Sequence, residues 1–536
     1  VTTWYVDTGS LLASDSNTGT SPAAPFKTIG RANNVAATGD TVIVKAGTYP
    51  ESTTLKTDGV TWTAEPGVVI DVTGLGNGFT LPALNNVTIE GFKVQGSASG
   101  YGIAVQGGGG HKIRYNRVTG CISGGIRMQP QSPQLFTPTD AGAGGSLPAG
   151  TQYYAVSAII GGQETLPSFV LGVTIPAAHL VQLQWSKVPA ASSFNIYGRT
   201  QTGATKITNI ANSFGSGFPT WVDDGSLAPD AVTVLPIVSG VLMGECLVEG
   251  NEVYANGSHG IYLFGANSVR VRGNDCHHNA LHGIALLNAS NDNTVEFNRS
   301  YNNSNGSRTA NGIQCDRFGV GSPGSARNLI QFNACFKNDD SGISIYNGSN
   351  DCIVRRNLCY ANGDHGIDNF NATGCHMIGN TVVGNVAAGL NSEGGSTGIR
   401  MFNNLAVDNG VSSPRTSGNY RLDPSVVSDA QFDYNTTRLT VPADQQPPIS
   451  GRSNAEIVWG TTLYPSLAAF QAAHPTQMGH GTTGDPLFLA PADGDFSTLP
   501  GSSARQAGSG TAPDVQERDF VGRLSSVPPD CGAFQS

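Results

Sequence analysis

The chain has 536 residues, of which 38% are hydrophobic and 13% charged, with a formal net charge of −10. That length can bury a large core and reads as a main domain with additions. The negative balance argues against a nucleic-acid partner, which needs clustered Lys and Arg. No apolar run reaches the ~18 residues of a membrane-spanning helix.

Glycine is abundant at 70 residues and aromatics are modest at 8%, which suits many short strands joined by tight turns. The first residue is Val1, and no basic-then-apolar leader precedes Trp4-Tyr5-Val6. This start is expected of the mature form of a secreted, extracellular protein. Pro25–Ala32 is predicted to be a short amphipathic helix, and Gly39–Tyr49 a strand and turn that begin the first coil. These belong to an N-terminal cap with the first coils over 1–133.

Residues 134–237 interrupt the repeat pattern described below. Gly150–Ala158, Val181–Trp185 and Phe194–Arg199 are alternating runs, predicting a small β-sandwich. The Trp185 strand followed by Phe194-Asn195-Ile196-Tyr197 resembles fibronectin type III modules. Such an insert serves as a spacer or wall, or binds glycan.

From 238 to 440 two anchors recur. One is an Asn after a short run: Asn251, Asn274, Asn298, Asn333, Asn357, Asn380 and Asn403, with steps of 23, 24, 35, 24, 23 and 23 residues. The other is Gly followed by an aliphatic residue: Gly260-Ile261, Gly283-Ile284, Gly312-Ile313, Gly342-Ile343, Gly366-Ile367 and Gly389-Leu390. Earlier copies stand at Gly102-Ile103 and Gly125-Ile126, with Asn116 between. No clear 3.6-residue periodicity accompanies the repeat, so each copy is a coil of short strands and the fold class is all-β, a right-handed parallel β-helix. The long step places an insertion around Arg317–Ala326. Equivalent residues should stack in columns about 4.8 Å apart, with Ile inside and Asn forming an amide ladder. Residues 441–536 supply the last coils and a loop-rich closing segment.

Nine cysteines make an odd number, and Cys335/Cys359 and Cys352/Cys375 fall at repeat-equivalent positions. Buried stacked thiols are favoured, with disulfides between neighbouring coils as the alternative.

Because strand side chains alternate, the residue after each Ile should point outward. That column runs Tyr262, Ala285, Gln314, Ser344, Asp368, Asn391; the one before Gly runs His259, His282, Asn311, Ser341, His365, Ala388. Three residues after Ile come Phe264, Leu287, Asp316, Tyr346, Phe370 and Glu393. Polar and aromatic residues thus concentrate from Asp316 to Glu393, with Arg317 beside them.

Trp4-Tyr5-Val6-Asp7, Pro25-Phe26-Lys27-Thr28-Ile29, Gly39-Asp40-Thr41-Val42 and, near the end, Gly484-Asp485-Pro486-Leu487-Phe488 resemble secreted β-helix carbohydrate-active enzymes. The site pattern is most similar to the family nine polysaccharide lyases, which include pectate lyases. That resemblance implies Ca²⁺ between an Asp on one coil and an Asp-Asp-Gly-x-Asp motif on the next, with a Lys base one coil later. Here Asp340 precedes Asp364 by 24 residues, and Asp364-His365-Gly366-Ile367-Asp368 occupies the motif. His365 replaces the second Asp, and Asn391 stands where the lysine is expected.

Stacked carboxylates repel unless a cation or a proton intervenes, so Asp340, Asp364 and Asp368 are the candidate metal ligands. With His365 they are also the candidate catalytic residues. Asp316, Arg317, Tyr346, Phe370, Asn391 and Glu393 are the candidate substrate contacts. His365 is one candidate base, with Arg317, Lys337 or Arg400 as others. Against this stand bland readings: Asp339 and Asp340 as turn caps, His259 and His282 as a structural stack, Tyr346 and Phe370 as packing. The functional expectation is a polysaccharide substrate of acidic, uronate-containing type, cleaved by β-elimination. The alternatives are a glycoside hydrolase using two of Asp316, Asp340, Asp364, Asp368 and Glu393, or a glycan-binding, tail-fibre-like adhesin. No sequence feature specifies an oligomer.

Overall fold

The computed structural model describes residues 1–535 apart from 189–190, 215–216, 237–238, 241–242, 320–321, 412, 414–415 and 447–453. It divides into two compact units. Val1–Val105, Gly109–Met128 and Gly244–Ser536 form one; Gln106–Gly108 and Gln129–Met243 form the other. The predicted end of the insert at Ile237 lies outside the described residues.

In the first unit the chain winds through three strands per coil, building three sheets of thirteen strands each among the described residues. Sheet 1 runs from Thr3–Val6 through Leu247–Glu249 to Gln431–Asp433. Sheet 2 runs from Thr53–Thr54 through Ile261–Phe264 to Ile457–Trp459, where Thr462–Tyr464 closes it antiparallel. Sheet 3 runs from Gly47–Tyr49 through Glu252–Tyr254 to Thr482–Thr483. All other pairings within them are parallel and in register, as in Ile343↔Ile367 and Val354↔Met377. A three-residue strand cannot hold itself; its inward aliphatic, such as Val248, Val271 or Ile330, is wholly buried against the coils above and below.

Two corners of each central coil, from Asn251 to Asn409, turn through the left-handed region and are followed by asparagine. Phe297, Phe332 and Arg356 have φ of 56°, 56° and 53°, and precede Asn298, Asn333 and Asn357. The strain of a non-Gly residue there is roughly 1 kcal/mol or more. The ladder that follows offsets it: each Asn Nδ2 donates to the Oδ1 of the next from Asn116 through Asn251, Asn274, Asn298, Asn333, Asn357, Asn380 and Asn404 to Asn435, at 2.9–3.1 Å. The predicted last rung, Asn403, is instead the corner residue, with φ 58°, and its side chain bonds Ser509. A second, unpredicted ladder lies five residues on, from Asn256 through Asn279, Asn303, Asn338, Asn362, Asn385 and Asn409 to Asn419. Asn116 and Asn251 occupy adjacent coils although 135 residues separate them, so the insert enters between consecutive turns of the helix.

The glycine anchor is steric. A Cβ on Gly342 would lie 2.6 Å from the carbonyl oxygen of Gly366, and one on Gly366 would lie 2.7 Å from that of Gly389.

Other expectations are adjusted. The first helix is Ile29–Val35, capped by Thr28, because Phe26 is held in a bridge to Val6 and cannot be helical. The extra residues of the long coil are split: 302–312 is five longer than the matching 337–342, and 317–328 is six longer than 347–352. All nine cysteines are free and buried, as the stacked-thiol reading expects, with Cys335 paired in register with Cys359. The closing segment does more than end the solenoid. It runs back along sheet 3, where Arg356 donates to Asp530 and Gly532 carbonyls and Phe534 packs on Leu358.

The second unit holds two antiparallel sheets. Thr139–Leu147, His179–Gln184 and Thr220–Asp223 form one; Gln163–Glu164, Gly150–Ile160, Ala191–Gly198 and Thr205–Ala211 form the other, with Leu171–Ile175 added against Gly150–Ile160. The sheets share one core around Tyr154, Leu183, Trp185, Phe194 and Ile196.

Candidate functional site

Sheet 2 carries the columns, in the predicted register. Tyr262, Ala285, Gln314, Ser344, Asp368 and Asn391 are aligned, and Arg421 continues the row. Tyr346, Phe370 and Glu393 are aligned likewise. These side chains are not laid out as an open groove. Asp364, His365 and Asp368 are only 2–3% exposed and Asn391 is wholly buried, while Asp316, Tyr346 and Glu393 are half-buried and Phe370 is exposed.

A hydrogen-bonded chain crosses four successive coils. The Tyr346 hydroxyl donates to Asp368 Oδ2 at 2.5 Å, and Asn391 Nδ2 donates to Asp368 Oδ1 at 2.7 Å. Arg421 Nη1 donates to Asn391 Oδ1 at 2.7 Å and pairs with Glu393 Oε2 at 2.5 Å. Asn391, where the lyase resemblance expected lysine, therefore couples a guanidinium to a buried carboxylate. His365 Nδ1 lies 3.2 Å from the Ala388 carbonyl. A carbonyl only accepts, so Nδ1 carries the hydrogen and the neutral ring keeps its lone pair on Nε2. Nε2 stands 3.8 Å from Asp364 Oδ1.

Burial pushes the Tyr346 hydroxyl far above its ordinary range, and the charges of Asp368, Asp340 and Asp364 add to the effect. The phenol thus keeps its proton, and of the three predicted carboxylates Asp368 is the one bonded to it. Burial also raises Asp316, against hydrogen bonds from Asn347, the Arg317 amide and Gln314.

The donor atoms of His365, Asp368 and Glu393 lie within 4.8 Å of one another, so this group can hold a metal ion. It shares Asp368 with the predicted set of Asp340, Asp364 and Asp368. Asp340 and Asp364 do not join a group of three that close among the described residues, and a set including imidazole suits a softer ion than calcium.

Other predicted residues lie apart. Lys337 is the exposed corner residue after the sheet 3 strand Ala334–Phe336, and Arg400 opens a sheet 1 strand, so neither shares the face that would make it the base. Asp339 Oδ2 caps the Arg308 amide, the turn role. His259 and His282 stack at 5.0 Å between ring centres, and burial lowers both, consistent with a structural column. Tyr346 and Phe370 meet at 5.6 Å. The residue missed by sequence reasoning is Arg421. It lies 30 residues after its register partner Asn391, on a coil that carries Gly418-Asn419-Tyr420 instead of a Gly-aliphatic pair. Only the spacing of the corner asparagines signals it.

Residues 239–406 match the family described as "Right handed beta helix region". No curated protein matches. Among solved structures, pectate lyase Pel9A is 14% identical with a TM-score of 0.42, covering 100% of this chain and 96% of its own. The mannuronan C-5 epimerase AlgE4 A-module of Azotobacter vinelandii is 13% identical with a TM-score of 0.39, covering 78% and 85%. A rhamnogalacturonan lyase is 13% identical with a TM-score of 0.36, covering 85% and 86%.

Proposed function

We propose that this chain is a secreted enzyme that cleaves a uronate-containing polysaccharide by β-elimination. The observation that carries this reading is the network of Tyr346, Asp368, Asn391, Arg421 and Glu393 beside His365 on one face of sheet 2. Elimination from a uronate needs three things: a cation for the carboxylate, a base for the C5 proton and an acid for the leaving oxygen. Arg421, drawn from Glu393 to the substrate, neutralises the carboxylate. His365 Nε2 takes the proton from C5. The C5–H electrons form the C4–C5 double bond, the C4–O bond breaks, and the Tyr346 hydroxyl gives its proton to the departing oxygen. Asp368 accepts the Tyr346 hydrogen bond and its charge stabilises the protonated His365 ring, which loses its proton to solvent while Tyr346 regains one from solvent.

Acid and base centred on one carboxylate work from one side of the sugar. That suits uronates whose C5 hydrogen and C4 oxygen share a face, which are those of gluco or manno configuration. Ca²⁺ held by Asp340, Asp364 and Asp368 would, when bound, lend further positive charge to the substrate carboxylate. Calcium takes oxygen ligands and leaves the His365 lone pair available, whereas a softer ion on His365, Asp368 and Glu393 would occupy it.

The experiment is product analysis with polyglucuronate, polymannuronate and polygalacturonate. Ultraviolet absorbance from an unsaturated uronate supports elimination. A second reading, a retaining glycoside hydrolase, draws on the closeness of the Asp368 and Glu393 carboxylates, within 4.8 Å, near the ~5 Å of retaining pairs. New reducing ends without that absorbance would favour it, and binding without cleavage would favour an adhesin carrying a fibronectin-like insert.

A further inference from the structure

The outward row that carries Arg421 carries another arginine nearer the N-terminal end of sheet 2. Arg127, from Gly124–Gln129, is in register with Tyr262, and five inter-strand steps separate it from Asp368. At about 4.8 Å per step, that is about 24 Å along the helix. Its guanidinium carbon stands 5.2 Å from the ring centre of Tyr101, 5.6 Å from Tyr262 and 5.3 Å from Phe264. Phe318, half exposed, packs edge-on against Phe264 at 4.9 Å.

Three rings around a cation attract it through their faces, but they supply no counter-charge. Arg114, Arg117, Arg270 and Arg299, on the outer faces of sheets 1 and 3, each have an acidic partner. Arg127 has no carboxylate within ion-pair reach among the described residues, and its Nε is buried without a hydrogen-bond partner among them. A guanidinium screened by aromatic rings and lacking its own acid is prepared for an external carboxylate, which it can bind through two parallel hydrogen bonds. If Arg127 served only to cover the rings, its place on the row that leads to the reacting network would be incidental.

We infer that Arg127, framed by Tyr101, Tyr262 and Phe264, is a second uronate subsite that holds a carboxylate of the same polysaccharide chain several sugars from the scissile bond. This rests on the uronate reading of the reactive network. The substrate then lies along the helix axis over sheet 2, since successive sugars of an extended chain advance by about the spacing of successive strands. The insert's entry just after Arg127 leaves this row intact, because Arg127 and Tyr262 pair directly.

The test is calorimetric binding of oligoglucuronates and oligomannuronates, from disaccharide to octasaccharide, to the full chain carrying His365→Ala so that turnover does not intervene. Adding Arg127→Gln should weaken octasaccharide binding about ten-fold and leave the disaccharide unchanged. Arg127→Lys, which keeps the charge and the cover on the rings, should fall between. Equal affinity of Arg127→Gln and its parent at every length overturns the subsite, provided both melt at the same temperature; if Arg127→Gln is unstable, Arg127→Lys decides by the same criterion. Length-dependent binding through Arg127 by a protein that forms no unsaturated product would keep the subsite and sink elimination. Unsaturated product together with length-independent binding would do the reverse. Absence of binding by any oligouronate overturns both.

Discussion

The Tyr346 hydroxyl and the Asp368 carboxylate, on adjacent coils, meet at 2.5 Å in a site where the Asp368 side chain is almost wholly buried. Their bond joins the surface of the site to its interior, since Tyr346 is half-buried while Asp368 and Asn391 lie beneath. Tyr346→Phe keeps the ring and its contact with Phe370 but removes the proton. Turnover should fall by about 10²–10⁴-fold, the range for loss of a general acid, with little change in KM. Asp368→Asn should fall by a similar factor, and the double variant by much less than the product of the two. Initial rates of product formation for the three variants check this. Additive losses would mean that the residues act separately.

Arg421 bonds both Asn391 and Glu393, so charge and position are separable. Arg421→Lys keeps the charge without the two-armed geometry and should lose about 10-fold in kcat/KM, whereas Arg421→Gln should lose about 10³-fold. Glu393→Gln releases Arg421 toward the substrate and should lower KM. Steady-state kinetics on a uronate polymer measure this, and calorimetric binding of its carboxyl-reduced form, which cannot undergo elimination, should be indifferent to Arg421→Gln.

Much of this arrangement is legible in the sequence, because a solenoid converts spacing into position. Once Gly-Ile pairs are aligned, Asp368 must face Ser344 and Asn391, and it does. The corner asparagines were less transparent. Asn403 and Asn404 are adjacent, and only backbone conformation decides which is the corner and which the rung. Arg421 was lost for the same reason, since a longer turn shifts the count. Burial was beyond reach altogether: alternation says which way Asp368 points but not what covers it.

Asn333 tests the ladder. Its Nδ2 donates to Asn357 Oδ1 and the Val295 and Gln331 carbonyls, and its Oδ1 accepts from Asn298. Asn333→Ala leaves buried amide groups on both neighbouring coils unsatisfied and should cost about 2–4 kcal/mol. Asn435→Ala, at the end of the row, strands a partner on one neighbouring coil only and should cost less. Urea denaturation midpoints compare them, and an equal or reversed order would show that the ladder does not act as a chain.

The pH dependence of stability has two identified sources. Burial lowers His259 to about 4 and holds His282 well below the ordinary histidine range. An unfolded chain protonates these rings near pH 6.5 while the folded one keeps them neutral. Stability conferred by the neutral stack is therefore full above pH 6.5 and declines as pH falls toward 4, by about 3 kcal/mol for His259 alone. Asp40 acts at lower pH. Burial opposes its ionisation, but hydrogen bonds from the Ala37 amide, Trp4 Nε1 and the Thr2 amide, with the N-terminal charge, hold its carboxyl below the usual range. Its contribution is present above pH ~4 and lost as pH drops through the folded value. Melting temperatures of wild type and His259→Gln from pH 7.5 to 4.5 should converge as the pH falls, and parallel curves would remove His259 as a cause.

A cation among the carboxylates would add to stability by mass action, through the term RT ln(1 + [L]/Kd). If Asp340, Asp364 and Asp368 hold calcium, added Ca²⁺ should raise the melting temperature in proportion to log concentration, and Asp340→Asn should abolish the rise. Asp340→Asn leaves the His365–Asp368–Glu393 group intact, so Zn²⁺ should still stabilise that variant while inhibiting the wild type by occupying the lone pair of His365. Terbium luminescence excited through Tyr346 supplies a second readout, since its hydroxyl lies within the field of all three aspartates. Calcium-induced stabilisation that survives Asp340→Asn would place the ion elsewhere, and stabilisation by Zn²⁺ without inhibition would remove His365 as the base.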